Sequence, residues 1–353
     1  SSVVPAVPAG RAFSVVRVSL CRCTFVPPGR RPLQQTRACP TRIIPRSSRS
    51  SGCGDVAFPR YRRTSHAATN VAMTQTTALP PPGAVPQGDG RVNFSLFAPE
   101  KTRVSVIGDF NGWDEAADPL EATGDGWWWI EKHLGAGEHR YQFSIDGQTI
   151  VDPYARQVVP VPDAPLPHAV VRTDAPPFGW RHDDFAARRP AWRDLVLYEL
   201  HVGDFSAEGT LAAVIDRLDN LRDLGVNAIE LLPLTEGALA EGWGYQPIYP
   251  FAVRAGYGTP DDLKRLVDAC HERGIAVILD IVLAHSAESC PLNRMYPYEE
   301  SPWYGAGIGG TNTFGLPTFD HRKPATQAFA QEVQRYWLDE FHIDGLRVDA
   351  VAS

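Results

Sequence analysis

Several protein classes are excluded by what this chain lacks. No stretch approaches the roughly 20 consecutive apolar residues that a membrane-spanning helix needs, so no membrane partner is expected. Excess positive charge is missing too: a formal net charge of -7 and a pI near 5.8 give no basis for binding nucleic acid or an anionic surface. No G-x-G-x-x-G or G-x-x-x-x-G-K-S/T motif follows a strand, which disfavours a dinucleotide-dependent dehydrogenase or a P-loop kinase. "GAGIGGTN" (Gly305 to Asn312) is glycine-rich, but it follows "SPWYG" in what reads as a long loop rather than a strand-to-helix turn. The cysteines form no even framework. Cys21, Cys23, Cys39 and Cys53 lie within the first 60 residues and Cys270 and Cys290 far downstream, so a reducing compartment such as the cytoplasm is expected.

Residues 1 to 72 are short of acid and of lysine: they hold 12 arginines, no lysine and the single acidic residue Asp55, with many Ser and Pro and no helical or strand period. Two origins fit this bias. It suits an organelle transit peptide, which would make the plastid the alternative compartment, or translated sequence upstream of a true start. Position 1 is not methionine and Met73 is the first in the chain, which favours the second origin. Either way this segment is predicted to be disordered, and residues 73–90, with "TTALPPPGAVPQGDG", read as a proline-stiffened linker.

The whole chain, at 353 residues and 43% hydrophobic, is long enough for more than one core. From Arg91 to Arg172 the apolar period is two: "RVNFSLFAP", "TRVSVIGDFNGW", "WWWIEKHL" and "HRYQFSIDGQTIV" alternate apolar with polar residues between Gly-containing turns. This predicts a small immunoglobulin-like β-sandwich over residues 91–172. Of its three adjacent tryptophans only Trp127 and Trp129 can share a face, because side chains alternate along a strand.

Beyond Trp192 strands alternate with helices. "LVLYELHV" is an apolar strand, and "GTLAAVIDRLDNLRDLG" carries Leu211, Val214, Ile215, Leu218 and Leu221 on one helical face. "VNAIELLP" is the next strand. Thr259, Pro260 and Asp262 in "TPDDLKRLVDACHERG" make a helix start with a capping box, and Gly274 ends it. "IAVILDIVLAH" reads as a strand buried on both faces, and a helix near Pro324 to Phe341 leads into "IDGLRVDAV". Four β/α steps imply parallel strands, as a (β/α)8 barrel or a doubly wound sheet.

In such a barrel the chemistry gathers at the C-terminal strand ends. His201, Asp280, His285, Arg347 and Asp349 all lie there. Any one alone would read as a cap or a satisfied core hydrogen bond. Together they point to a site, with Arg347 the natural partner that keeps Asp349 ionised as a nucleophilic carboxylate.

On these residues the chain resembles a known family. "DIVLAH" and "GLRVDAV" are similar to two of the regions that define the α-amylase family, glycoside hydrolase family 13. "GWGYQPIYPFAVRAGYGTPDDLKRLVDACHERGIAVILD" resembles its glycogen branching members, and "LYELHVGDFSAEGT" resembles both those and its trehalohydrolases. "FAPEKTRVSVIGDFNGW" resembles the family 48 carbohydrate-binding modules that precede such barrels. The resemblance implies a β-sandwich followed by a TIM barrel over residues 192–353, and an α-glucan (glycogen, starch or malto-oligosaccharide) as substrate.

It also implies site roles: Asp349 as nucleophile, Arg347 as its charge partner, Asp280 and His285 as contacts to sugar hydroxyls, and Tyr245 stacked on the sugar. Many members hold calcium through an Asn where this chain has Ala284, so neither a metal nor another cofactor is expected. The family's acid/base glutamate and its stabilising aspartate follow the fifth and seventh strands. Neither is found here, so the chain reads as the first half of a barrel. Branching is the leading activity, with a trehalohydrolase-like or amylase-like hydrolase as runner-up. A non-catalytic glucan-binding protein is the alternative of another class.

Overall fold

The computed structural model describes residues 81–239, 242–305, 312 and 314–351. The disorder expected for residues 1 to 72, and most of the glycine-rich stretch between Gly305 and Asn312, lie outside the described residues.

Nine strands build the first layer pair: β1 (Gly83–Gly88), β2 (Arg91–Phe97), β3 (Val104–Gly108), β4 (Glu121–Ala122), β5 (Trp127–His133), β6 (Glu138–Ile145), β7 (Gln148–Ile150), β8 (Val158–Val159) and β9 (His168–Arg172). One antiparallel sheet runs β1-β2-β5-β4; the other runs β3-β6-β9-β8, with β7 paired to β6. The alternation expected of a sandwich is met, since Val92, Phe94 and Leu96 are fully buried between the sheets. One boundary is corrected. Gly83–Gly88 falls in the stretch read as linker, yet it pairs with β2 from Gly83↔Ser95 to Gly88↔Arg91. Its Pro86 is tolerated because β1 is an edge strand, where a missing N–H costs no ladder bond, and the register shifts between Pro86 and Gly88.

The second half is a β/α array. Helix α1 (Phe185–Arg188) precedes strand β10 (Leu197–Leu200). Helices α2 (Val202–Phe205), α3 (Leu211–Ile215) and α4 (Leu218–Asp223) lead to β11 (Ala228–Leu231). A hairpin, β12 (Thr235–Gly237) with β13 (Pro247–Val253), precedes α5 (Pro260–Glu272) and β14 (Ala276–Val282). Helices α6 (Pro291–Met295) and α7 (Pro324–Glu340) come before β15 (Gly345–Asp349). Strands β10, β11, β14 and β15 pair in that order, all parallel.

The single helix expected between Leu211 and Gly225 is two short ones, broken at Asp216 and Arg217. The capping box of α5 is present: Thr259 Oγ1 accepts from the Asp262 N–H, and Asp262 Oδ2 accepts from the Thr259 N–H at 2.8 Å. Such a cap stabilises a helix start by about 1 kcal/mol.

Sandwich and array share one apolar core. Tyr154 meets Phe251 and Phe329 at ring-centroid distances of 5.5 and 5.6 Å, and Phe97 meets Trp303 at 6.0 Å. Trp127 belongs to this packing, against Phe97 and Tyr154, and Trp128 Nε1–H donates to the Ala98 carbonyl. The connecting segment is pinned by buried Asp268, which accepts from the backbone N–H groups of Arg181 and His182 at 3.0 Å each. No helix among the described residues is long and apolar enough to cross a membrane.

Candidate active site

The parallel pairing of β14 and β15 places Asp280 opposite Arg347 and Val282 opposite Asp349. Side chains two residues apart on a strand share a face, so Arg347 and Asp349 project together toward the side on which Asp280 lies. Arg347 Nη1 donates to Asp280 Oδ2 at 2.7 Å and to Asp349 Oδ1 at 2.6 Å. Asp280 is buried, whereas the Arg347 and Asp349 side chains remain 32% and 22% exposed, which leaves them reachable by a ligand. Directly after Asp349 the backbone turns through Ala350 at φ +52°, a conformation that a residue with a side chain adopts only under strain.

Tyr245 comes from the turn of the β12–β13 hairpin, and its hydroxyl donates to Asp280 Oδ2 at 2.8 Å. With Arg347 on the same oxygen, Oδ2 is doubly satisfied. Oδ1 of Asp280 is buried and has no hydrogen-bond partner among the described residues. An unpaired buried carboxylate oxygen costs free energy, and a hydroxyl-rich ligand would remove that cost. His285 lies just past β14 and its Nε2 is 2.8 Å from the Tyr245 carbonyl, so the five residues singled out from the sequence as site residues form one connected group. His201, also read as a strand-end polar residue, is engaged elsewhere: Nε2 meets the Tyr257 hydroxyl at 2.6 Å and Nδ1 meets Asp204 at 2.8 Å.

Burial dominates the electrostatics. It pushes the Asp280 carboxyl up to about 6 and outweighs the hydrogen bonds from Arg347 and Tyr245, which act in the opposite sense. For Arg347, burial works downward, but hydrogen bonding to Asp280 and the charges of Asp280 and Asp349 raise it overall, so the guanidinium stays charged. Burial, then the negative charge of Asp280, raises the Tyr245 phenol and keeps it a donor.

One acidic residue escaped the sequence reading. Glu230 sits mid-strand on β11, is 9% exposed, and is pushed up to about 7 by burial and by the charges of Asp280 and Glu199. The signal was present: a carboxylate interrupts the apolar run of "VNAIELLP" just as Asp280 interrupts "IAVILDIV". The calcium question has a local answer. Ala284 is a buried methyl whose carbonyl already accepts the Phe319 N–H at 3.0 Å, so this position does not fit a calcium ligand.

Known proteins share segments of this chain and its fold. Residues 174–305 match the α-amylase catalytic domain, and residues 81–155 match carbohydrate-binding module 48, the isoamylase N-terminal domain. Residues 174–305 thus carry an α-amylase-family catalytic segment. Its array has the fold of part of an amylase-type TIM barrel behind the module.

Over 283 residues it is 35% identical to the 1,4-α-glucan branching enzyme GlgB of Nitrosomonas europaea, covering 74% of this chain and 37% of that protein. The chain thus spans little more than a third of that relative's length. Among solved structures, a Salmonella typhimurium protein classed with the α-amylases superposes with a TM-score of 0.65 at 31% identity, covering 76% of this chain and 44% of that one. The GBS pullulanase SAP, solved in complex with maltotetraose, gives 0.63 at 25% identity, covering 76% and 42%.

Proposed function

We propose that this chain carries the nucleophile-bearing part of a retaining α-glucan transglycosylase, a 1,4-α-glucan branching enzyme. One observation supports the reading above the others: a single Arg347 nitrogen holds both Asp349 and Asp280, while buried Asp280 Oδ1 has no hydrogen-bond partner among the described residues. In this reading Asp349 attacks the anomeric carbon of a glucan chain, the leaving oxygen takes a proton from a general acid, and a covalent glycosyl ester forms on Asp349. A 6-hydroxyl of another chain then attacks the anomeric carbon of that ester, its bond to Asp349 breaks to release the carboxylate, and the deprotonated acid, now a base, takes the hydroxyl proton. Asp280 and His285 contact sugar hydroxyls in the pocket. The Tyr245 ring stacks on the same sugar, with its hydroxyl anchored on Asp280.

Hydrolysis, trehalohydrolase-like or amylase-like, differs only in that water takes the place of the sugar hydroxyl. The choice of branching rests on relatives such as the Nitrosomonas europaea enzyme. Amylose assayed with the protein carrying the whole barrel separates the two. Branching lowers iodine staining and adds α-1,6 bonds without new reducing ends, whereas release of reducing ends in step with lost staining would overturn the branching reading. We divide the chain into a module over residues 83–172 and the barrel segment from 192. We place the protein in the cytoplasm, where the buried free thiols Cys270 and Cys290 would persist.

A further inference from the structure

The glycine-rich stretch that matched no nucleotide motif ends at Asn312, and the side chain of Asn312 reaches the candidate site. Its Oδ1 accepts the backbone N–H groups of Phe314 at 3.0 Å and Leu316 at 3.1 Å. Its own backbone N–H donates to the Leu316 carbonyl at 2.9 Å, and its carbonyl accepts the Gly315 N–H at 3.0 Å, with Gly315 at φ +77° closing the turn. Two N–H donors converge on one amide atom, so that atom must be oxygen. The NH₂ group is therefore the part of the amide that lies 3.0 Å from His285 Nδ1.

The other ring nitrogen is fixed by the same logic. Nε2 of His285 faces the Tyr245 carbonyl, which can only accept, so Nε2 carries the proton. Nδ1, facing an N–H donor, must present its lone pair. We propose that Asn312 is a positioning residue: it locks His285 as the neutral Nε2–H tautomer and, through that ring, fixes the backbone of Tyr245, whose hydroxyl holds Asp280. Phe314, Gly315 and Leu316, held by Asn312, are thereby tied to the sugar-contacting group through one imidazole. The proposal rests on His285 and Tyr245 belonging to the glucan site as read above.

Imidazole ¹H–¹⁵N correlation spectra of the complete chain, labelled with ¹⁵N only in histidine, test it at neutral pH without glucan. His285 is assigned by the signal lost in His285→Gln. The wild-type ring should show a protonated Nε2 and a bare, hydrogen-bonded Nδ1; a protonated Nδ1 would overturn the proposal without any substitution. Asn312→Asp keeps the oxygen that accepts from Phe314 and Leu316 and so preserves the turn, but it turns the donor facing His285 into an acceptor. In that variant Nδ1 should gain a proton, and an unchanged His285 spectrum would contradict the lock. Addition of maltoheptaose is the separate arm: the expected tautomer with no glucan response would uphold the lock while removing His285 from the glucan site.

Discussion

Asp280 and Arg347 stand opposite each other in the β14–β15 register and are joined by a 2.7 Å hydrogen bond. This cross-strand pair organises the candidate site, because the same guanidinium nitrogen also holds Asp349 and the same carboxylate oxygen also holds Tyr245. Removing the cation would leave two carboxylates on neighbouring strands, one of them buried, without compensation. Arg347→Met is therefore expected to destabilise the fold by about 3 kcal/mol. Asp280→Asn should cost less, since the amide still accepts from Tyr245. Urea denaturation of the two variants checks the order, and equal costs would show that the pair is not the organiser.

Glu230 gives a pH signature. Its carboxyl moves from 4.5 to about 7 on burial, so the folded state favours the protonated form. The stability this contributes is fully present below the unfolded value and is lost as pH rises through about 7. Glu230→Gln keeps the volume and removes the titration. The variant should match wild type near pH 4 and exceed it by about 1–3 kcal/mol at pH 8, read from unfolding midpoints at both pH values. A variant no more stable than wild type at pH 8 would contradict the assignment.

Asp268 should behave in the opposite sense. Burial alone would raise it, but hydrogen bonds from the Arg181 and His182 backbone and from the Arg181 side chain win and hold it below the usual carboxylate range. That stability is present above the unfolded value and is lost as pH falls through the folded one. Asp268→Ala also leaves the two N–H groups without their acceptor, so a loss of about 2–4 kcal/mol at pH 7 is expected, shrinking in acid. Protease cleavage between residues 174 and 190 should speed up in step. Unchanged cleavage there would show that the segment is held by other contacts.

Ala284 makes a metal prediction. With a methyl group at this position and its carbonyl already committed to Phe319, thermal melting should be the same with and without a chelator. A chelator-induced drop of several degrees would reveal a cation bound elsewhere.

Much of this fold was legible because burial writes itself into period. The two-residue alternation around Phe94 gave the sandwich, the unbroken apolar run around Asp280 gave a doubly covered parallel strand, and Thr259-Pro260 gave the start of a helix. The site was legible where a charge interrupts such a run, as at Asp280 and Arg347. Other features left weaker traces. The β12–β13 hairpin is hidden in a stretch of Gly, Pro and aromatics that also suits a loop, and β1 was masked by Pro86 and the prolines just before it. Asn312 reaches His285 across 27 residues of sequence, a contact that no local pattern encodes.

The central claim is that Asp349 is the nucleophile of a retaining glucan enzyme, and one substitution tests it in the protein that carries the whole barrel. Asp349→Asn keeps the volume and an acceptor for Arg347 while removing the nucleophilic carboxylate. The turnover of amylose should fall by about 10³-fold or more, a loss of about 4 kcal/mol of barrier lowering, with maltoheptaose affinity retained. Activity within about tenfold of wild type, equivalent to only ~1.4 kcal/mol, would contradict the account and move the nucleophile away from β15.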